Sequence, residues 1–439
     1  MQMNEKLLQY IWQYQLFNKT DIETSDHQHL QIIQPGIHNK NQGPDFLESR
    51  IKLNNTLWVG SIEIHINSVD WELHKHSDDE HYNNVILHVV WNFDESIHFP
   101  FPTLCLKPLV PKMLLAKYNQ IHKLSTFIHC EKNIHQVEPI IWEKWKERLV
   151  VERLESKSLL MYDLLKKANG NWEEMSYWVL AKCMGGKING EAFEQTAMSL
   201  PLNILVRHKE SLFQLEALLF GQAGLLTPDH KEEYPKQLLK EYLYLKKKHN
   251  LRQPKILIHF LRMRPANFPT IRLAQLAYFF HHQDKILSKI ISLDNTNSLI
   301  HLFTMQTSEY WNTHYRFNEK SAFSNKITGA QHINLLLINV GVNLLFAYGN
   351  YHQFERLKST SIEWLSQMCS EKNEITNGFM QLGISHQSAF DSQAFIQLKT
   401  KFCVEKKCLE CAVGNAIFRK DIELTSNPIV INGNIHIGM

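Results

Sequence analysis

Charge of one sign, cysteine and long apolar runs are all scarce in this chain of 439 residues. Lysine and arginine number 47 against 44 acidic residues, a formal net charge of +3, so any surface for a polyanion has to be local. Seven cysteines, an odd number scattered over the chain, do not make a disulfide framework and fit a reducing compartment. The longest apolar run, INLLLINVGVNLLFAY from Ile333, is interrupted by Asn334, Asn339 and Asn343. It falls short of the roughly 18 uninterrupted apolar residues of a membrane span and reads as a buried helix. The first residues, MQMNEKLLQYIWQYQLF, mix glutamines and a glutamate among the apolar positions and lack a small-residue cleavage site, so they read as a helix and not a signal peptide. No fixed-period repeat is visible. These absences point to a cytoplasmic protein without a membrane partner. Its length is enough for two or three domains.

Histidine is what the chain has in excess. There are 24, and His65, His74, His76, His81 and His88 fall in one short window. Histidine is a common metal ligand and a proton carrier near neutral pH.

Two textures meet near residue 112. Before it come a helix around residues 4–17 and strand-like runs: LQIIQ from Leu30, DFLESRIKL from Asp45, LWVGSIEIHI from Leu57, NVILHVVW from Asn84 and TLCLKPLV from Thr103. After it, the spacing predicts helices over 138–170, 172–183, 190–199, 211–222, 231–248, 270–282, 329–349, 351–369 and 387–402. The expected fold is α+β/α, a small N-terminal mixed sheet flanked by helices and then a larger all-helical domain. The expected boundaries are 1–112, a linker over 113–137, a helical domain over 138–402 and a cysteine-containing tail over 403–439.

The stretch GPDFLESRIKLNNTLWVGSIEIH, from Gly43, carries the chemistry. Phosphodiester hydrolysis needs the phosphate charge neutralised and a deprotonated water supplied, and a divalent ion held by carboxylates does both. Two adjacent strands offer such a pocket when one starts with Asp and its neighbour carries Glu on the same side. A residue two positions beyond the Glu then lies beside it. Asp45, Glu63 and His65 fit that arrangement.

Pro44-Asp45, seventeen intervening residues, then Glu63-Ile64-His65 resembles the motif of the PD-(D/E)XK nuclease superfamily. The resemblance implies magnesium or manganese on Asp45 and Glu63, a further acidic residue at Glu5 on the first helix, and DNA or RNA as substrate. His65 stands where that superfamily carries lysine. An imidazole there can act as a base, can bind the metal and shift its preference toward manganese or zinc, or can mark lost catalysis. The reading is thus a metal-dependent nuclease or nucleic-acid-binding descendant, with a catalytically silent scaffold as the alternative. VDWELHKHSDDEHY, from Val69, adds His74 and His76 as further metal ligands, which opens a third reading as a zinc hydrolase. His88, alone on an apolar strand, reads as a hydrogen-bonded core histidine.

Two further clusters remain. CVEKKCLEC places Cys403, Cys408 and Cys411 within nine positions, a spacing suited to zinc or an iron–sulfur cluster. Cys130, Cys369 and His386 are the candidates for a fourth ligand. FLRMRPANFPTIRLAQLA, from Phe260, presents Arg262, Arg264 and Arg272 around two prolines. Those arginines either clasp a nucleic-acid backbone or lock helices together. Taken whole, the GPDF, EIH, DWxxHxH and LHVV segments with the terminal cysteines resemble an uncharacterised bacterial family of unknown function.

Overall fold

The strand-like segments of the first 105 residues become one six-stranded sheet. The computed structural model describes residues 3–39, 42–74, 76–95, 99, 101–123, 126–261 and 263–426. Its strands are β1 (Leu30–Gln34), β2 (Ile37–His38), β3 (Phe46–Leu53), β4 (Thr56–Asn67), β5 (Val85–Asn92) and β6 (Thr103–Cys105). The order is β1-β3-β4-β5-β6, with β2 on β3. β1 and β2 pair antiparallel to β3, and β3 to β4, through a tight turn in which Asn54 takes φ 51°. β4–β5 and β5–β6 are parallel.

A parallel pair needs a crossover. Here it runs from Ser68 to Asn84 and contains α2 (Asp70–Leu73) and two short 3-10 turns. Its Trp71 is buried. The DWELHKH segment is therefore part of the crossover beside β4.

The opposite layer starts with α1 (Glu5–Gln13). Asn4 caps it, its side chain accepting from the Leu7 N–H. Leu7, Leu8, Ile11 and Trp12 are buried in the same core as Phe46, Ile62, Ile64, Leu87 and Val89. Burying each such side chain contributes about 1.5–3 kcal/mol. Trp12 keeps its polar edge satisfied, with Nε1 donating to the Pro35 carbonyl at 3.0 Å.

Contacts divide the chain into residues 1–143 with 400–439, and residues 144–399. The stretch read as a linker forms α3 (Lys112–Lys123) and a 3-10 turn over Glu131–Gln136 inside the first unit. The cysteine tail belongs to that unit too. The terminal helix Ala412–Ser426 brings Phe418 to Tyr10 of α1, ring centroids 6.1 Å apart, and to Tyr118 of α3 at 6.2 Å. Residues 427–439 lie outside those described.

The second unit carries helices where a 3.6-residue pattern was expected, and further short ones at Leu202–Arg207, Leu287–Ile291, Thr296–Leu302 and Glu374–Gln381 that were not. α4 (Pro139–Lys167) supplies its residues from Lys144 on. α5 (Trp172–Met198) spans the two helices expected over 172–183 and 190–199, which meet at a kink at Gly186, where φ 62° and ψ −155° leave the helical region. The unit is not purely helical, because His314–Arg316 and Glu319–Lys320 pair as a small hairpin. The apolar run falls in Ala330–Tyr351, a helix long and apolar enough to cross a membrane, with 61% of its most apolar window buried inside the protein. Its middle, Leu337–Val342, is a π-helix.

Candidate metal centre

Asp45 immediately precedes β3, whose first residue Phe46 pairs with Ile62. A bulge between Phe46 and Ser49, with Glu48 at φ 58°, bends the strand start. Asp45 and Glu63 thereby bind each other through backbone donors. The Asp45 N–H donates to Glu63 Oε2 at 3.0 Å, and the Ile64 N–H donates to Asp45 Oδ2 at 3.1 Å. Gln9 of α1 donates to Asp45 Oδ1 at 2.8 Å. A second register shift, between Ser61 and Ile62, sets β4 against β5 so that Glu63 pairs with His88. Gly60 permits it: a Cβ there would lie 2.5 Å from the Asn84 carbonyl oxygen.

Glu63 Oε1 faces imidazoles. It lies 3.5 Å from His65 Nε2 and 3.5 Å from His76 Nε2, and His65 Nε2 lies 3.2 Å from His74 Nδ1. One ligand atom from each of His65, His74 and His76 falls within 4.8 Å of the others. Donor atoms bonded at about 2.0–2.2 Å to one tetrahedral ion stand roughly 3.4 Å apart, and the 3.2 and 3.5 Å separations are close to that spacing. His76 Nε2 is buried and makes no hydrogen bond among the described residues. Its ring is fixed by stacking on Tyr82, centroids 3.9 Å apart.

His65 is almost wholly buried, and its Nδ1 lies 2.9 Å from His88 Nε2. With the proton on His65 Nδ1 and shared with His88, Nε2 turns a lone pair toward Glu63 and His74. Metal-binding histidines are commonly oriented in this way through their other nitrogen. Burial, then the charges of neighbouring histidines, pushes His65 and His88 each down to about 3, so both rings are neutral at pH 7. Burial lowers His76 as well.

The carboxylates move the other way. Burial raises Glu63, and the Asp45 charge raises it further. Burial also raises Asp45, with the Glu5 charge adding to it. Glu5 is on the exposed side of α1, and its carboxyl is raised by burial against the pull of His74. The Glu5 and Asp45 charges thus repel their neighbouring carboxyls, a repulsion that a bound cation would relieve. The three imidazoles of His65, His74 and His76, with Glu63 Oε1 beside two of them, suit zinc better than magnesium.

The remaining candidates separate. His81 is exposed and pairs with Asp79 at 2.6 Å, outside the cluster. His88 is indeed a core histidine, but it is also the partner of His65, a role its apolar strand gave no sign of. Arg272 is not presented to a nucleic acid. It is buried, and donates to Gln275 Oε1 at 2.7 Å and Asn267 Oδ1 at 2.6 Å, locking the turn to its own helix. Arg264 is exposed. Arg262 lies outside the described residues. Cys408 and Cys411 are buried at the start of the terminal helix, which packs on the turn that follows Cys130. Burial, then the charges of Cys411 and Cys408, pushes Cys130 up to about 12, which puts the three within electrostatic reach of one another. Cys403 ends a π-helix, Leu398–Cys403, in the same unit. Cys369 and His386 belong to the helical unit.

No curated protein and no solved structure matches this chain. A family profile does, over residues 5–374, a span that takes in the whole carboxylate and histidine cluster and most of the helical unit. The chain belongs to that family, the proteins of unknown function DUF2851.

Proposed function

We propose that this protein is a transition-metal-dependent phosphodiesterase acting on nucleic acid, with the ion on Glu63, His65, His74 and His76. The observation that carries this reading is the cluster of three imidazoles, His65, His74 and His76, one of them with an orphan nitrogen and two of them 3.5 Å from Glu63 Oε1. The PD-(D/E)XK resemblance supplies the reaction class, and the helix, hairpin and parallel-strand order around Asp45 and Glu63 is compatible with it.

A manganese or zinc ion bound there would polarise a phosphoryl oxygen and lower the pKa of a bound water. The chain's own groups do the rest. Asp45 fixes Glu63 Oε2 with its N–H, leaving Oε1 for the ion. His88 holds the His65 tautomer. Glu5, at the exposed edge and within electrostatic reach of both acids, is placed to take a proton from the attacking water.

An open cleft of about 800 Å³ is lined by Trp58, Phe93, Phe99 and Phe101. Phe99 and Phe101 also pack on His88, centroids 5.2 and 6.0 Å away. Aromatic walls suit stacking of unpaired bases. Asp26 and Glu95 in the same lining suit bases and not phosphates. Single strands are therefore the favoured substrate.

The test is cleavage of single-stranded DNA, RNA and duplex DNA with added manganese or zinc. Activity on single strands that disappears in Glu63→Gln and His76→Ala, with folding preserved, is the expected result. Metal binding without cleavage of any of these would leave a scaffold that has lost catalysis. The cysteines enter the same reading as a structural clasp: Cys130, Cys403, Cys408 and Cys411 would hold zinc or an iron–sulfur cluster that ties the tail to the N-terminal unit.

A further inference from the structure

We propose that the helical unit binds an extended acidic segment of a partner protein, paired as an added strand with Lys255–Leu261. The proposal is independent of the metal centre and of any cleavage there.

The helix Glu233–Lys248 leads into Leu251–Phe260, ten residues that belong to no helix, turn or sheet. The sequence KILIHFL, from Lys255, is nonetheless that of a strand, rich in β-branched and aromatic residues and set between Pro254 and Pro265. Burial along it alternates with period two. Ile256, Ile258 and Phe260 are half-buried, and Lys255, Leu257, His259 and Leu261 are exposed. That alternation is the mark of an extended chain lying on a surface. Leu257 and Leu261 are 71% and 78% exposed, on the face turned away from the protein.

In an extended chain the N–H and C=O of one residue point to one edge, and those of the next residue to the other. One edge of this segment is held. Buried Asn189 of α5 accepts from the His259 N–H through Oδ1 and donates through Nδ2 to the His259 carbonyl, both at 2.8 Å. A side-chain amide thereby makes the two bonds that an antiparallel neighbour makes at a hydrogen-bonded pair. The Phe260 ring is anchored as well, 5.5 Å from that of Phe268 and 4.8 Å from the Arg316 guanidinium. The second edge carries the backbone groups of Ile256, Ile258 and Phe260, and these pair with nothing among the described residues.

An open strand edge is a template for another chain, and strand addition is a common way of taking up an extended peptide. Charge selects the occupant. From Tyr242 to Gln283 the chain has no acidic residue and eight lysines and arginines. Arg252, Lys255 and Arg264 are exposed on the segment and its flanks. Two copies of the segment pairing with each other would set like charges side by side, which is destabilising. A nucleic-acid strand could use the cations, but neither the free amides nor the two leucines. An acidic peptide uses all three: its backbone pairs with the free edge, its carboxylates meet the cations, and apolar residues between them cover Leu257 and Leu261.

The experiment is selection of displayed random peptides on the full chain, followed by fluorescence anisotropy of the winning peptide. Sequences that mix acidic and apolar residues should be enriched. Leu257→Asp and Lys255→Glu, both at exposed positions, should leave Tm unchanged and weaken binding by about tenfold or more. Two N-methylated forms of the peptide, each carrying the methyl groups on one alternate set of amides, should differ: one set faces the edge and loses about tenfold or more, and the other is tolerated. His76→Ala should bind as the wild type does, which separates this edge from the metal centre. No enrichment, enrichment of peptides without acidic residues, or equal binding of the two methylated forms would overturn the proposal. So would self-association of the protein that Leu257→Asp abolishes, which would make a second copy the occupant. Binding of a single-stranded DNA probe that is lost in Lys255→Glu but kept in Leu257→Asp would overturn it in favour of nucleic acid.

Discussion

Asp45 and Glu63 are bound to each other through main-chain donors. The Asp45 N–H donates to Glu63 Oε2 at 3.0 Å, and the N–H of the next residue, Ile64, donates to Asp45 Oδ2 at 3.1 Å. This leaves Glu63 with one committed oxygen and one that faces His65 and His76. Glu63→Gln keeps the shape but loses the charge, and should lower manganese or zinc affinity at least tenfold. Competition with a chromophoric chelator measures it, and unchanged affinity would remove Glu63 from the ligand set.

His88 touches the centre only through His65. His88→Leu should weaken metal binding about 10–100-fold, the usual effect of losing a group that orients a ligand. His88→Gln, which can still accept the proton, should recover most of it. Equal losses in the two variants would point to packing and not to the hydrogen bond.

Gly60 touches no ligand, yet a Cβ there would meet the Asn84 carbonyl at 2.5 Å. Gly60→Ala must move β5 relative to β4, at about 1–3 kcal/mol of overpacking. Because that register aligns His88 with Glu63, metal affinity should fall together with the urea midpoint.

Glu216 gives the helical unit a pH signature. It is fully buried, accepts from Tyr234 Oη at 2.6 Å and Trp311 Nε1 at 3.3 Å, and burial pushes it up to about 7 from an ordinary 4.5. The folded chain therefore keeps a proton that the unfolded chain releases between those two values. The stability this contributes is complete below pH 4.5 and is lost as pH rises through 7, amounting to about 3 kcal/mol at most. Glu216→Gln should flatten that slope, so that the variant gains on the wild type between pH 5 and pH 8. Parallel Tm profiles would contradict it.

The cysteine clasp is open to elemental analysis. Purified protein should carry zinc or iron in addition to the histidine-bound ion, and Cys130→Ser together with Cys411→Ser should remove that fraction alone. A brown chromophore lost in those variants would select iron–sulfur over zinc. A metal content identical in wild type and variants would end the idea.

The sheet was legible from its short apolar runs separated by turns, and the placing of Glu63 beside His65 from the two-residue repeat of a strand, whereas Asp45 precedes β3 at a bulge that the spacing alone does not show. Other features depend on contacts that no local pattern encodes. His88 looked like any residue of a strand apolar on both faces, since nothing in VILHVVW says which neighbour Glu63 will face. Arg272 looked available beside two prolines, and only the helix it starts shows that its guanidinium is spent on Asn267 and Gln275. The break in α5 was expected as a gap between two helices, because Gly185, Gly186 and Gly190 weaken the helical pattern there.

Phe418 stacks its edge toward Tyr10 although the two are separated by the entire helical unit in sequence. During synthesis the N-terminal sheet thus emerges long before the piece that completes its packing. It must wait, incompletely covered, while the inserted helices are made and fold. Expression of residues 1–143 alone would reproduce that waiting state permanently, so dissection of this protein should excise the helices and rejoin the flanks instead of cutting after α3.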